Sequence, residues 1–255
     1  MEYDNSENNS NITYIDLYSF PVSLVLKEIL QDKTTKRNII FAEFGCTADG
    51  NSIDPTTEIT EELLREMDIQ PRCFKSRTEQ ADRTRRNAEV FTPVWICNKM
   101  NNYCDEEWFG RENVFNREDG QGWIRTEEKV IFPEGRDWRE YVDSRRLEIT
   151  CGEAPFLVSR YDMADGSPIP INNRIGILDR KMRVVNENTE TEEEWLNWTY
   201  RAFQSVYGYE YQGDNLLIAR INLLLSFSKY MEDRLHREPT LRELKKITTI
   251  ICWNI

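Results

Sequence analysis

The chain has 255 residues, 39% of them hydrophobic, which is enough to bury the core of one large domain. No apolar run approaches the ~20 residues that cross a bilayer, and the first residues are polar and acidic, so we expect neither a transmembrane protein nor a secretory signal peptide. The net charge of −12 argues against a protein that binds nucleic acid indiscriminately. The six cysteines are scattered and the chain has one histidine, His236, so we expect a reduced, cytoplasmic protein without a metal site.

The hydrophobic pattern divides the chain into two regions. Residues 1–140 are predicted to form a mostly helical, mixed N-terminal region, whereas residues 141–255 alternate between strand and helix patterns. Three buried strands are predicted in the second region, at residues 147–150, 206–211 and 249–253. Asp214 can cap a helix after the second strand, and Thr240 with Glu243 predicts a capping box for the last helix. This alternation predicts an α/β fold with a partial parallel sheet.

Residues 71–86 are locally basic within an acidic chain, with six basic and two acidic side chains. Both a solvated surface segment and an arm that contacts the phosphates of DNA agree with this pattern. If the segment contacts phosphates, we expect Arg83, Arg85 and Arg86 to be exposed on the same side as residues 91–93. Their loss would then flatten the salt dependence of DNA binding.

Three short segments carry the functional prediction. Residues 88–93 read Ala-Glu-Val-Phe-Thr-Pro, and residues 147–157 read Leu-Glu-Ile-Thr-Cys-Gly-Glu-Ala-Pro-Phe-Leu. Residues 207–212 read Tyr-Gly-Tyr-Glu-Tyr-Gln, and Ala-Arg-Ile-Asn-Leu follows at 219–223. In this order they resemble the N6-adenine DNA methyltransferases of bacterial restriction–modification systems, in which an FTP motif precedes an acidic strand end, a CGSG-type turn and a second strand ending in Gly-x-Glu. The resemblance covers residues 80–255.

This resemblance implies a Rossmann-like core that binds S-adenosylmethionine. The turn at residues 151–154 would hold the aminoacyl end, Glu148 would attract its ammonium group, and Glu210 would accept both ribose hydroxyls. We therefore expect the turn and Glu210 to lie at the carboxyl ends of adjacent parallel strands and to face one cleft. The implied cofactor-binding residues are Phe91, Thr92, Pro93, Glu148, Thr150, Cys151, Gly152, Ala154, Glu210 and Tyr211.

The sequence departs from the family pattern at several places. Ala154 replaces a second glycine, and Glu153 replaces a small polar residue, so a negative charge is expected beside the carboxylate of the cofactor. The family's catalytic Asp/Asn-Pro-Pro-aromatic motif is not found, because the nine prolines include no adjacent pair. Catalytic residues are therefore not assigned, and the chain by itself is not expected to methylate DNA.

Two functional hypotheses remain open from the sequence. The chain is either the cofactor-binding portion of an adenine methyltransferase, completed by a partner chain or by further sequence, or a non-catalytic accessory or inhibitory protein on the same scaffold. The first hypothesis implies DNA as a further partner. Binding of S-adenosylmethionine to the isolated chain separates the two.

Overall fold

The computed structural model describes residues 15–46, 50, 52–67, 69–90 and 92–255. Phe91 of the predicted cofactor site, and residues 1–14 of the predicted N-terminal region, lie outside this description. The helices of the described residues are α1 (Leu26–Leu30), α2 (Glu61–Arg65), α3 (Arg77–Asn87), α4 (Val94–Phe109), α5 (Trp138–Asp143), α6 (Ile177–Asn188), α7 (Glu192–Gln204), α8 (Gly213–Leu235) and α9 (Leu241–Asn254). Their strands are β1 (Gly45–Cys46), β2 (Ser52–Ile53), β3 (Asn116–Asp119), β4 (Gly122–Arg125), β5 (Arg146–Ile149) and β6 (Val206–Tyr209).

Local sequence signals set where several helices begin. At α9 the Thr240 side chain accepts a hydrogen bond from the backbone N–H of Glu243, and the Glu243 carboxylate accepts one from the N–H of Thr240. This is the predicted capping box, which satisfies two N–H groups that the helix itself leaves unpaired. Ser76 and Glu79 form the same arrangement at α3.

β5 and β6 are the pair of parallel strands that the sequence predicts. In their register Leu147 lies opposite Tyr207, and Ile149 lies opposite Tyr209. β1 pairs with β2 and β3 pairs with β4, both in antiparallel orientation, so each sheet in the described part of the chain has two strands. The chain therefore has a mixed fold of helices and small parallel and antiparallel sheets.

The third strand, predicted at residues 249–253, is wrong because this segment lies inside α9. The buried side chains Ile247, Thr248, Ile251 and Cys252 are spaced like one face of a helix and do not alternate as in a strand. α9 packs this face against α1, α7 and α8. The β-branched residues favour a strand locally, but burial of a helical face against three other helices outweighs that preference.

One face of the β5–β6 pair is open to solvent. The exposed fraction is 48% for Leu147, 68% for Ile149 and 63% for Tyr209. Glu148 and Gly208 alternate with these residues and are buried. The prediction of buried strands is therefore correct for only one face of the pair, since successive side chains point to opposite faces.

The main hydrophobic cluster contains side chains from Ile15 to Ile255, so both predicted regions contribute to it. α8 lies within this core, buried along most of its length and packed against α1 and α9. Its first residue, Gly213, fits against the chain ahead of β1, where a Cβ atom would lie 1.9 Å from the carbonyl oxygen of Ile40. Among the described helices, none combines the length and the apolar character that crossing a membrane requires.

Candidate functional site

The turn that follows β5 has an unusual backbone. Thr150, Gly152 and Ala154 have φ angles of 55°, 54° and 67°, in the left-handed region that glycine adopts with least strain. The turn stays attached to β6 because the N–H of Cys151 donates a hydrogen bond of 2.9 Å to the carbonyl oxygen of Tyr209. The positive φ at Ala154 is the conformation that the glycine of the family pattern would hold without strain.

The turn leads into a single helical turn and not directly into an α-helix. The N–H groups of Leu157 and Val158 both donate to the carbonyl oxygen of Ala154, at 3.1 and 2.9 Å. The next α-helix, α6, begins only at Ile177. The chain between them is an extended connection that includes a short 3-10 helix at Ile171–Asn173.

Glu210 joins the ends of the two parallel strands. Its Oε2 accepts a hydrogen bond of 2.6 Å from the N–H of Gly152, and its Oε1 accepts bonds of 3.0 Å from the N–H groups of Tyr211 and Gln212. The turn and Glu210 therefore lie at the carboxyl ends of adjacent parallel strands, as predicted. The two positions are 58 residues apart in sequence.

The turn and Glu210 face one cavity of about 300 Å³. Pro93 and Ala154, which belong to the predicted site, are not part of its lining. The predicted residues that do line it are Thr92, Glu148, Thr150, Cys151, Gly152, Glu210 and Tyr211. The sequence pattern thus predicted a set of residues of which most surround one cavity.

Glu148 is the buried carboxyl group of this cavity. It accepts hydrogen bonds from the N–H groups of Leu157, at 3.2 Å, and Phe156, at 3.4 Å. Burial raises the pKa of Glu148 well above its usual range, and the nearby Glu210 carboxylate raises it further. Since no described lysine or arginine forms an ion pair with Glu148, a cationic group of a ligand would stabilise its ionised form.

Glu153 does not place its charge in the cavity, so that expectation is wrong. Its carboxylate is fully buried and accepts hydrogen bonds of 2.6 Å from the N–H of Arg72 and 2.7 Å from the Tyr161 hydroxyl. Burial raises the pKa of Glu153 to about 7. The residue connects the turn to the chain ahead of α3 and does not face the ligand-sized space.

Arg83 is not exposed, so the prediction for this residue is wrong. Only 16% of its side chain is accessible, and its guanidinium pairs with Glu89 at 2.6 Å, Asp214 at 2.8 Å and Glu43 at 2.9 Å. Arg72 pairs with the same Glu89, and Lys75 pairs with the same Asp214, so Arg83 belongs to a buried ion-pair network that attaches α3 to the beginning of α8. Asp214 lies in the first turn of α8, whose N-cap residue is Gln212. The prediction that Asp214 caps this helix is therefore wrong.

Arg85 and Arg86 are exposed on α3, as predicted. Arg85 has an accessible side-chain fraction of 80%, and its one ion pair among the described residues is with Asp82, at 3.9 Å. These two cations are therefore accessible to an anionic partner, whereas Arg83 is not.

Asn215 is a cavity residue that the sequence analysis missed. Its Nδ2 donates hydrogen bonds of 2.8 Å to Gln212 Oε1 and 3.2 Å to Glu89 Oε2, and all three residues line the cavity. No local sequence signal could reveal this arrangement, because Glu89 and Asn215 are 126 positions apart. Residues 88–90 reach the cavity through these contacts and through the ion pairs of Glu89.

The described lining residues of the cavity include carboxylates and amide groups but no lysine, arginine or histidine. Such a surface is rich in hydrogen-bond acceptors, and Glu148 and Glu210 have no ion-paired cation among the described residues, so it suits a ligand with positive charge and with N–H or O–H donors. No protein-family model matches this sequence, and no curated protein or solved structure is significantly similar to it.

Proposed function

We propose that the chain binds S-adenosylmethionine in the cavity at the carboxyl ends of β5 and β6, as the cofactor-binding portion of an N6-adenine DNA methyltransferase-like protein. One observation carries the proposal. Glu210 and the turn at residues 151–154 lie side by side at the carboxyl ends of adjacent parallel strands, next to one cavity. Ligands of open α/β folds bind at this edge of the sheet.

The chemistry of the lining supports this cofactor. S-Adenosylmethionine carries a sulfonium and an ammonium group, and its ribose offers two hydroxyl donors. Glu210 supplies carboxylate oxygens for the hydroxyls, and Glu148 supplies a buried carboxyl group for a cation. Tyr211, which is 80% exposed beside the cavity, can pack against the adenine ring.

The proposal includes a larger Rossmann-like sheet, of which β5 and β6 are two strands. The open face formed by Leu147, Ile149 and Tyr209 supports this, because apolar strand residues of a parallel sheet are normally covered. The covering elements, and the groups that hold the target adenine, would come from a partner chain or from further sequence. DNA is the proposed substrate, and Arg85 and Arg86 are the exposed cations that can contact its phosphates.

Isothermal titration of the purified chain with S-adenosylmethionine tests the proposal. We expect saturable binding to the wild-type chain and at least about tenfold weaker binding to Glu210→Ala, since hydrogen bonds to a charged group contribute roughly 1.5–3 kcal/mol. Glu193→Ala is the matched control, because Glu193 is exposed on α7 away from this cavity. Absence of binding to the wild-type chain contradicts the proposal.

Transfer is tested separately with a labelled methyl group on the cofactor. The acceptor nitrogen must be held within about 3–3.5 Å of the methyl carbon, and cofactor binding alone does not provide this. We therefore expect no incorporation into unmethylated DNA by this chain alone. Incorporation by the chain alone would show that it holds the target base without the Pro-Pro motif.

The second candidate function is a non-catalytic accessory or inhibitory protein that keeps the same scaffold. The net charge of −12 favours it, because an acidic surface suits a protein that binds basic nucleic-acid enzymes. A chain that binds a methyltransferase but not S-adenosylmethionine would support this candidate over the first.

A further inference from the structure

Asn215 has an unsatisfied acceptor at the candidate cavity. The residue lies in the first turn of α8, is 2% exposed and belongs to the cavity lining. Its Oδ1 is buried and has no hydrogen-bond partner among the described residues. Buried polar atoms are nearly always paired, so an unpaired acceptor on a residue of the cavity lining is a candidate to receive a hydrogen bond from a ligand.

The orientation of the Asn215 amide is fixed by its neighbours. Its Nδ2 faces two acceptors, the Glu89 carboxylate and Gln212 Oε1. Gln212 Oε1 is itself identified as an acceptor, because it also receives a hydrogen bond of 3.1 Å from Arg83 Nη2. Rotating the Asn215 amide by half a turn would place an oxygen against both acceptors. The open group is therefore an acceptor and not a donor.

The charge of the cavity indicates which donor fits. Glu148 lines the same cavity without an ion-paired cation, and the described lining contains no basic side chain. A ligand ammonium group would satisfy both features, since it donates hydrogen bonds and brings positive charge. The adenosine portion of the cofactor supplies donors but no cation.

We propose that Asn215 is a ligand-binding residue whose Oδ1 accepts a hydrogen bond from the ammonium group at the aminoacyl end of the cofactor. This inference rests on the proposed function and adds a residue from α8 to the groups at the ends of β5 and β6. Glu89 and Gln212 hold the Asn215 amide in the orientation that leaves Oδ1 without a hydrogen-bond partner among the described residues.

Titrations with three probes test the assignment. S-Adenosylmethionine and S-adenosylhomocysteine both carry the ammonium group, whereas 5′-methylthioadenosine lacks the aminoacyl chain. Asn215→Ala should weaken binding of the first two by about tenfold and leave binding of 5′-methylthioadenosine unchanged, because only the first two carry the ammonium group assigned to Oδ1. The control is Asn197→Ala, since Asn197 is exposed on α7 and lies outside the cavity lining.

Urea denaturation of Asn215→Ala guards against misfolding of the variant. The variant should unfold in one cooperative transition, so that a loss of binding reports the missing amide and not an unfolded chain. Equal weakening of all three probes by Asn215→Ala would overturn the ammonium assignment, and unchanged binding of all three would overturn any ligand contact. If the wild-type chain binds none of the probes, the proposed function fails together with this inference.

Discussion

Replacement of Glu153 by glutamine tests how the turn beside the cavity is stabilised. Glu153 is fully buried, and its carboxylate accepts hydrogen bonds from the N–H of Arg72 and the hydroxyl of Tyr161. Glutamine can accept the first bond through Oε1 and donate to the Tyr161 oxygen through Nε2. The substitution therefore keeps the shape of the site while it removes the titratable group.

The size of the effect on the unfolding free energy follows from the raised pKa of Glu153. Burial raises the pKa of Glu153 from 4.5 to about 7, and one pKa unit corresponds to about 1.4 kcal/mol. Ionisation of the buried carboxyl therefore costs the folded chain up to about 3 kcal/mol relative to the unfolded chain. Between the two pKa values the folded chain binds a proton that the unfolded chain has lost, so the stability falls as the pH rises from about 4.5 to about 7.

Urea denaturation of both proteins between about pH 4.5 and about pH 8 measures this effect. The difference in unfolding free energy, Glu153→Gln minus wild type, should rise across this range by up to about 3 kcal/mol and then level off above about pH 7. Other buried groups, such as Glu148 and Lys181, titrate in both proteins and cancel in the difference. Parallel pH profiles for the two proteins would refute this account of Glu153.

Two further predictions concern the attachment of α3 and α8. Arg83→Ala should lower the unfolding free energy by roughly 1.5–3 kcal/mol in urea denaturation, because it removes charged hydrogen bonds from a buried network in which Glu89 keeps Arg72 and Asp214 keeps Lys75, whereas Arg85→Ala and Arg86→Ala should each stay within about 0.5 kcal/mol; equal effects of the three would contradict the ion-pair assignment. Gly213→Ala should lower the thermal unfolding midpoint clearly, since the added methyl group would overlap the carbonyl oxygen of Ile40, and an unchanged midpoint would show that the two segments are not in contact.

The sequence predicted the features that depend on neighbouring residues or on general rules of strand geometry. The capping box of Thr240 and Glu243 needs contacts over three positions only, and it is present at α9. The placement of Gly152 beside Glu210 follows from two parallel strands, whose carboxyl ends meet at the same edge of a sheet. Such features require no knowledge of the remaining core.

Tertiary structure determined the partners of Arg83 and Glu153 and the helical conformation of residues 249–253. Arg83 and Glu153 read as an exposed cation and a cavity carboxylate in the sequence, yet their partners Asp214 and Arg72 are 131 and 81 positions away. Residues 249–253 read as a strand, but three helices cover one helical face of this segment. On folding, a buried side chain exchanges its contacts with water for contacts with other protein groups. Those groups come from distant parts of the chain, so the local sequence does not reveal them.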